Sequence, residues 1–367
     1  MAEATSYLRY SPDIERPEPD EAETARAIAE TMRSIAEKTL ADGGHALRSV
    51  HAKSHGFLQG ELEVVPGLPD DLAQGLFSEP GRYPVVLRFS TIPGDILDDS
   101  VSTPRGVAIK VVGVAGERLE GSEGAATQDF VLVNSPAFGT ATARQFLPGL
   151  KLLAKTTDRA ESLKKAASFV LRGVQQAVVA TTGGLSPVLS TLGGQPATHI
   201  LGDSFYSQVP IRFGDHVAKI ALVPVSPQLT ALTGAPLPPE GGPGALRAAM
   251  VRFFRDAGGT WELRAQLCTD LETMPVENAA TIWPEAESPY RTVARLRVAP
   301  QTAWSEARAA MVDDGMAFSP WHGLAAHRPL GSIMRVRKQA YALGARFRAE
   351  RNGRTIEEPR ALAPLPD

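Results

Sequence analysis

The fold is decided by a short apolar run, Tyr83-Pro84-Val85-Val86-Leu87-Arg88-Phe89-Ser90. Branched and aromatic residues over this length are typical of a β-strand. Similar runs occur at seven other places, over residues 57–65, 106–114, 129–134, 208–213, 216–225, 260–269 and 290–298. The eight runs predict an α+β protein in which eight antiparallel strands close into a barrel, just wide enough for one flat ligand, with inserted and flanking helices.

The composition is that of a protein with a full apolar core and little net charge. The 367 residues are 43% hydrophobic, and the formal net charge is -3. A nucleic-acid partner is not expected, because binding a phosphate backbone requires a basic surface. The single cysteine, Cys268, excludes a disulfide framework. No uncharged apolar run is long enough for a membrane span, and the first residues lack a secretory pattern, so we expect a cytoplasmic protein.

The order of helical and extended patterns predicts how the chain is organised. We expect an N-terminal arm and helix over residues 1–45, a barrel domain over 46–367, a helical insert at about 142–180 and a C-terminal helix at about 331–350. In the N-terminal helix, apolar positions recur at helical spacing over residues 20–41, and Gly43 and Gly44 mark its end.

The predicted C-terminal helix carries a basic stretch with one tyrosine, residues 335–348. A helix turns by roughly 100° per residue. Around the helix axis, Tyr341 therefore lies about 40° from Arg337, and Arg348 lies about 20° from Arg337. One narrow stripe of the helix thus combines a tyrosine with two arginines.

This stripe is suited to stabilising a phenolate. A free tyrosine titrates near ~10, and a guanidinium within hydrogen-bond distance favours its charged form. A buried tyrosinate is used in proteins as an axial ligand of haem iron. The alternative interpretation is a basic amphipathic helix with an aromatic residue on its packed face. Arg335 and Arg346 lie on the opposite side of the helix and are expected to be dispensable for any chemistry of the stripe.

Other candidate residues lie at the beginnings and ends of the predicted strands. His51 precedes the first strand and could be a buried core residue, a metal ligand or an acid–base group. Arg88 and Ser90 are two residues apart on a strand, so both point into the barrel or both point out of it. Asn134 stands just before Pro136, where an asparagine is most often a turn residue.

Taken together, these motifs resemble the haem catalases. The shared order runs from residue 48 to about 348: Arg48-x-x-His51-Ala52-Lys53, Arg88-Phe89-Ser90-Thr91, Pro104-Arg105-Gly106-x-Ala108-x-Lys110, Asp129-x-Val131-x-x-Asn134-x-Pro136-x-Phe138, Phe318-Ser319-Pro320, and Arg337-x-x-x-Tyr341 with Arg348. Six motifs in one order are far more specific than any one fragment. Because little sequence follows the tyrosine helix, the chain looks like the short, catalase-related peroxidase branch of that superfamily.

The resemblance implies haem b as the cofactor. Tyr341 would bind the haem iron as tyrosinate, and Arg337 would stabilise its charge. Three arginines would contact the haem propionates: Arg48, Arg88 and Arg348. Val50 and Phe146 would line the side of the haem on which peroxide binds.

The resemblance also implies a reaction. His51 would take a proton from the bound peroxide and return it to the leaving oxygen, so that the O–O bond breaks to give water and a ferryl intermediate. Ser90 would orient His51, and Asn134 would donate a hydrogen bond to the peroxide.

Two departures from the family pattern modify this expectation. Thr103 stands where the family has an aspartate before Pro-Arg-Gly, which weakens the field that orients a small peroxide. Leu132-Val133-Asn134 stands where Gly-Asn-Asn would be expected. We therefore expect a haem-dependent peroxidase that reduces hydrogen peroxide or organic hydroperoxides at the expense of a small-molecule or lipid-derived reducing substrate, with weak catalase activity at most.

Two other functions remain open. The first is rearrangement of fatty-acid hydroperoxides on the same haem, as in an allene oxide synthase-like enzyme. The second is a non-catalytic haem-binding protein, although His51, Ser90 and Asn134 argue against it because carrying haem requires none of them. We also expect a homodimer, since the N-terminal helix and the late loops have apolar faces without an obvious partner.

Overall fold

The computed structural model describes residues 6–92, 94–156, 195–237 and 239–367. The described part contains nine strands: Lys53–Val64 (β1), Arg82–Thr91 (β2), Arg105–Val112 (β3), Thr127–Val133 (β4), Phe205–Tyr206 (β5), Ile211–Phe213 (β6), His216–Pro224 (β7), Gly259–Leu267 (β8) and Arg291–Val298 (β9). It also contains six α-helices: Glu21–Gly43 (α1), Ala143–Thr156 (α2), Pro227–Thr230 (α3), Ala245–Asp256 (α4), Glu306–Ala309 (α5) and Ser332–Asn352 (α6).

The strands form one closed antiparallel barrel. The order around the sheet is β5-β4-β3-β2-β1-β9-β8-β7, and the ring closes because β5 also pairs with β7. Eight strands therefore make the ring, as predicted, and β6 is added as a short hairpin partner of β7.

The predicted bounds of the fifth strand differ from the observed ones. One strand was expected over 208–213, but the chain pairs with β7 in two short pieces, β5 and β6. Between them Gln208 has a φ of 63°, and Pro210 has no N–H to donate to a neighbouring strand. The pairing is interrupted for these reasons, and the first piece begins before the predicted run.

The interior of the barrel is filled by side chains instead of a ligand. One face of the strands contributes to the largest apolar cluster, including Leu87 and Phe89 of β2, Ile109 of β3 and Leu263 of β8. These side chains are fully buried. Alternate residues of β2 point the other way, so Arg88 lies on the outer face of the barrel.

The helices cover this outer face. Helix α1 ends at Gly43, and Gly44 then adopts a left-handed conformation with a φ of 69°, in agreement with the predicted stop. Helix α1 packs against α2 and α6. Helix α2 covers the beginning of the predicted insert, whereas residues 157–180 of that insert lie outside the described residues. Among the described residues, no helix is both long and apolar enough to cross a lipid bilayer.

Candidate active site

A cavity of about 770 Å³ lies between the outer face of the barrel and helix α6. The barrel contributes its outward-pointing residues, and α6 and the segment after it form the other side: the lining includes Arg88, Ser90, Gly106, Ala108, Val131, Tyr341, Gly344, Arg348, Arg354, Ile356 and Glu358. The antiparallel register places Ser90 opposite Gly106 and Arg88 opposite Ala108. The residues that the sequence singled out on β2 therefore open onto this cavity, outside the barrel.

His51 is held at the cavity by contacts to both its ring and its backbone. Ser90 Oγ lies 3.2 Å from His51 Nδ1. Arg88 Nη2 donates to the backbone carbonyl of His51 at 2.9 Å and to that of Ala52 at 3.2 Å. His51 has a φ of 54°, a left-handed conformation that few residues other than glycine adopt. The backbone contacts of Arg88 help to stabilise this conformation.

Gly106 sets the position of the His51 ring from the other side. A Cβ atom at residue 106 would lie 2.6 Å from one ring carbon of His51 and 2.8 Å from Nδ1, which is closer than such atoms approach in proteins. Only glycine therefore lets the ring lie this close to β3.

The surroundings of His51 keep its imidazole neutral. Burial lowers the pKa of His51 to about 3, and the positive charges of Arg88, Arg337 and Arg48 act in the same direction. The imidazole is therefore uncharged at neutral pH and is able to accept a proton.

Tyr341 and Arg337 form the stripe predicted on α6. Arg337 Nη2 donates a hydrogen bond of 2.5 Å to the phenolic oxygen of Tyr341. The guanidinium carbon also lies 5.0 Å from the centre of the tyrosine ring. A charged donor at this distance stabilises negative charge on the phenolic oxygen.

Three arginines, which we call the arginine cluster, lie together at the cavity: Arg48, Arg88 and Arg348. Burial lowers the pKa of Arg48 well below its ordinary value and that of Arg348 to about 10. Arg348 Nε is buried and has no hydrogen-bond partner among the residues that the structure describes. A buried, unpaired guanidinium nitrogen is the kind of donor that an added anion would satisfy.

The remaining predicted site residues, Val50, Phe146 and Asn134, differ in whether they line the cavity. Val50 lines the cavity. Phe146, on α2, packs edge-on against Phe138 at 5.2 Å and is not among the lining residues. Asn134 is turned away: its amide nitrogen donates to Asp203 at 3.0 Å, and its oxygen accepts from the backbone of Arg105 at 2.9 Å. The predicted contacts of Phe146 and Asn134 with a bound ligand therefore stay predictions.

An ion network forms the wall of the cavity beside the C-terminal segment. Lys110 Nζ contacts Asp129 Oδ1 at 2.7 Å and Glu358 Oε2 at 2.5 Å, and His322 Nδ1 lies 3.0 Å from Glu358 Oε1. Burial opposes protonation of His322, but the two carboxylates raise its pKa to about 9. Although Asp129, His322 and Glu358 could together ligate a metal ion, Lys110 and the protonated His322 already balance the two carboxylates.

Sequence reasoning missed several residues of the site. Asp313 accepts hydrogen bonds from two members of the arginine cluster, and Glu358 fixes the segment that closes the cavity. Glu358 comes from an irregular segment and Asp313 from a single helical turn, which is too short for a periodic pattern to mark the direction of its side chains. Gly106 is part of the motif from Pro104 to Lys110, but its role depends on a contact with His51 that forms only in the folded barrel.

Comparison with known proteins gives a fold but no close relative. No protein-family model matches the sequence, and no curated protein matches it. A fungal catalase superposes with a TM-score of 0.58 at 20% identity, over 86% of this chain and 62% of that protein. Catalase A from Saccharomyces cerevisiae gives 0.58 at 19% identity, over 85% and 64%. A bacterial catalase gives 0.55 at 16% identity, over 88% and 63%.

The chain thus spans less than two thirds of the length of these three catalases. At identities of 20% or less, such a likeness shows the fold and not the activity. The chain has a catalase-like fold.

Proposed function

We propose that the protein is a haem-dependent peroxidase that reduces hydrogen peroxide or organic hydroperoxides. One observation carries the proposal: a single cavity is lined by Tyr341, whose phenol is bonded to the guanidinium of Arg337, and by an imidazole next to a hydroxyl, His51 with Ser90. The first pair is suited to ligating iron, and the second is suited to moving a proton.

Haem b fits the residues of this cavity. The volume of about 770 Å³ lies within the range of roughly 300–1,000 Å³ that is common for cofactor sites. Tyr341 would ligate the iron, and the arginine cluster, with its unpaired Arg348 Nε, would bind the two propionates. When bound, haem would supply the redox chemistry that breaks a peroxide bond.

The protein's own residues would manage charge and protons. By donating to the phenolic oxygen of Tyr341, Arg337 would stabilise the negative charge of that oxygen as an iron ligand. Ser90, which lies beside Nδ1, would fix the orientation of the His51 ring, so that Nε2 would accept the peroxide proton and return it to the leaving oxygen. The lowered pKa of His51 means that its imidazole is unprotonated at neutral pH, as a base must be when the peroxide arrives.

We further assign the protein to the short, catalase-related peroxidase branch, with weak catalase activity at most. Thr103, at the position of the family's aspartate, uses its hydroxyl to donate to the backbone carbonyl of Ile92. A neutral hydroxyl gives a weaker field than a carboxylate, so small peroxide molecules would be oriented less well. We also propose that the reducing substrate is a small molecule or is derived from a lipid. The protein would be cytoplasmic and would form a homodimer.

Peroxide reduction by the haem-loaded protein tests this function. With an oxidisable dye present, we expect steady dye oxidation and slower oxygen evolution. The variant His51→Gln should lose at least about 100-fold in rate with unchanged haem content, because the proton acceptor is removed. His45→Gln, at a histidine that is half exposed and pairs with Asp314, should retain the rate.

Analysis of the reaction products shows which result would contradict the peroxidase proposal. If a lipid hydroperoxide gives an epoxide or a ketol without oxidation of the dye, the protein rearranges hydroperoxides and the peroxidase proposal fails. Oxygen evolution faster than dye oxidation would contradict the assignment to weak catalase activity.

A further inference from the structure

One carboxylate that the proposed function does not use, Asp313, lies within the arginine cluster. It is on a π-helical turn, Ala310–Asp314, directly after α5. A π-turn inserts one extra residue and redirects the side chains near it, and such turns occur often at functional sites. The side chain of Asp313 is 19% exposed, and that of Arg88 beside it is 3% exposed.

A single oxygen of Asp313 accepts hydrogen bonds from two arginines. Arg48 Nη1 donates to Asp313 Oδ1 at 2.5 Å, and Arg88 Nε donates to it at 2.6 Å. Arg348 is joined to this pair through a shared acceptor, since Arg48 and Arg348 donate to the carbonyl of Met316 at 3.2 and 3.3 Å. Two of the three guanidinium groups therefore share one carboxylate oxygen, and the third is held beside them through the Met316 carbonyl.

The contacts fix the charge of this group of residues. Burial alone would raise the pKa of Asp313, but the charges of Arg88 and Arg48 outweigh it and hold the pKa below its ordinary value. Asp313 is thus ionised at neutral pH, and arginine side chains in proteins carry a positive charge at that pH. Three positive charges and one negative charge leave two positive charges at this edge of the cavity.

We propose that Asp313 is a specificity-determining residue: its carboxylate lowers the net charge of the arginine cluster to two positive charges, and so limits how strongly the cavity prefers a planar cofactor with two carboxylates at one edge over one with fewer. This inference rests on the proposed function, because it concerns how the same cavity selects its cofactor. Without Asp313, the cluster would hold one uncompensated positive charge after a dicarboxylate porphyrin had bound.

The test measures how much one porphyrin carboxylate contributes to binding. The full chain, freed of haem, is titrated with ferric protoporphyrin IX, which has two carboxylates, and with its monomethyl ester, which has one. The ratio of the two dissociation constants is the quantity of interest. In Asp313→Asn the side chain keeps an oxygen that both arginines can use but loses its charge. We expect the preference for the free acid to increase about tenfold over the original protein.

The neighbouring acid provides a matched control. Asp314 Oδ1 contacts His45 Nε2 at 2.9 Å and Asn352 Nδ2 at 3.2 Å, and its charge acts on Arg348 more weakly than that of Asp313 does. Asp314→Asn should therefore change the ratio less than Asp313→Asn does. Equal changes in the two variants, or an unchanged ratio in Asp313→Asn, would overturn the inference. Local disorder around residue 313 would give a different result, because it would weaken the binding of both porphyrins or reduce the preference for the free acid.

A second variant covers the case in which Asp313→Asn does not fold. Arg48→Gln removes a positive charge from the same group of residues, so the preference for the free acid should decrease about tenfold; an unchanged preference would overturn the inference. Failure of the proposed function is recognised separately, because the original chain would then bind neither porphyrin or would bind haem without the participation of Tyr341.

Discussion

His51 is held on three sides, and each contact restricts a different part of the residue. Arg88 fixes its carbonyl, Ser90 approaches Nδ1, and Gly106 leaves room for the ring. A left-handed conformation at a residue other than glycine costs on the order of 1 kcal/mol or more, and it persists only where neighbouring contacts offset that cost. Strain of this kind is common at sites where a side chain must point in one direction.

The glycine contact leads to a prediction for Gly106→Ala. The added methyl group would occupy space now taken by the His51 ring, so the ring must move by a few tenths of an ångström or more. Because small displacements of a catalytic group are costly, we expect peroxide reduction to be about 100-fold slower while the haem absorbance is retained.

The matched control for this prediction is Gly149→Ala in helix α2. Among the residues that the structure describes, no atom outside the local helix lies within 4 Å of a Cβ at that position. Its rate should equal that of the original protein. A Gly106→Ala variant with the same rate as the control would show that the glycine does not position His51.

At the level of the elements, helix α6 serves two sides of the molecule. One side carries Tyr341, which lines the cavity, and Arg337, which donates to the phenolic oxygen of Tyr341. The other side carries Arg335, which forms ion pairs with three carboxylates: Glu15 and Glu21 from the N-terminal part of the chain, and Glu277. Burial opposes its charge, but these carboxylates together raise the pKa of Arg335 above its ordinary value. Arg335 thus connects the N-terminal arm and α1 to the helix of the site.

This ion network predicts the effect of Arg335→Met. The substitution removes the cation that three carboxylates share and leaves Arg328 as a partner of Glu15 alone, so the free energy of unfolding should fall by about 3 kcal/mol in urea titrations. Arg346→Met, at an exposed position of the same helix, should change it by less than about 0.5 kcal/mol. Arg335→Met should keep the haem absorption spectrum of the original protein. Arg346, in contrast, lines the cavity, although the sequence predicted it on the opposite side of the helix, so only its stability serves as the control. Altered absorption in Arg335→Met would contradict the expectation that Arg335 is dispensable for the chemistry.

The sequence predicted the elements better than the site. Alternating apolar residues mark strands such as β2 wherever one face enters a core, and Gly44 ends α1 by a local rule. Local rules fail where contacts are distant in sequence. Asp313 reaches Arg88 across 225 residues, and Asn134 is turned aside by Asp203, a contact between different parts of the chain. Neither partner could be named before the barrel had brought the two residues together.

At the scale of the whole molecule, buried histidines make stability depend on pH. Burial lowers the pKa of both His199 and His327 to about 4. Between pH 6.5 and about 4 the unfolded chain binds protons that the folded protein does not, so the free energy of unfolding falls as the pH decreases. Each histidine contributes roughly 1.4 kcal/mol per pH unit within that window.

Urea titrations from pH 7 to pH 4 check this prediction. In His327→Gln the slope of the free energy of unfolding against pH should be smaller than in the original protein, whatever the change in absolute stability. An unchanged slope would contradict it. His322 acts in the opposite direction, because its pKa is raised to about 9: the stability that it contributes is complete below pH 6.5 and is lost as the pH rises through 9.

The central claim is that Tyr341, supported by Arg337, ligates a haem in the cavity between the barrel and α6. The most direct test is the absorption spectrum of the protein reconstituted with ferric haem, compared with that of Tyr341→Phe. We predict a high-spin ferric spectrum with phenolate character in the original protein, and loss of that character in the variant. A protein that cannot be reconstituted with haem, or a Tyr341→Phe spectrum identical to the original one, would contradict the claim.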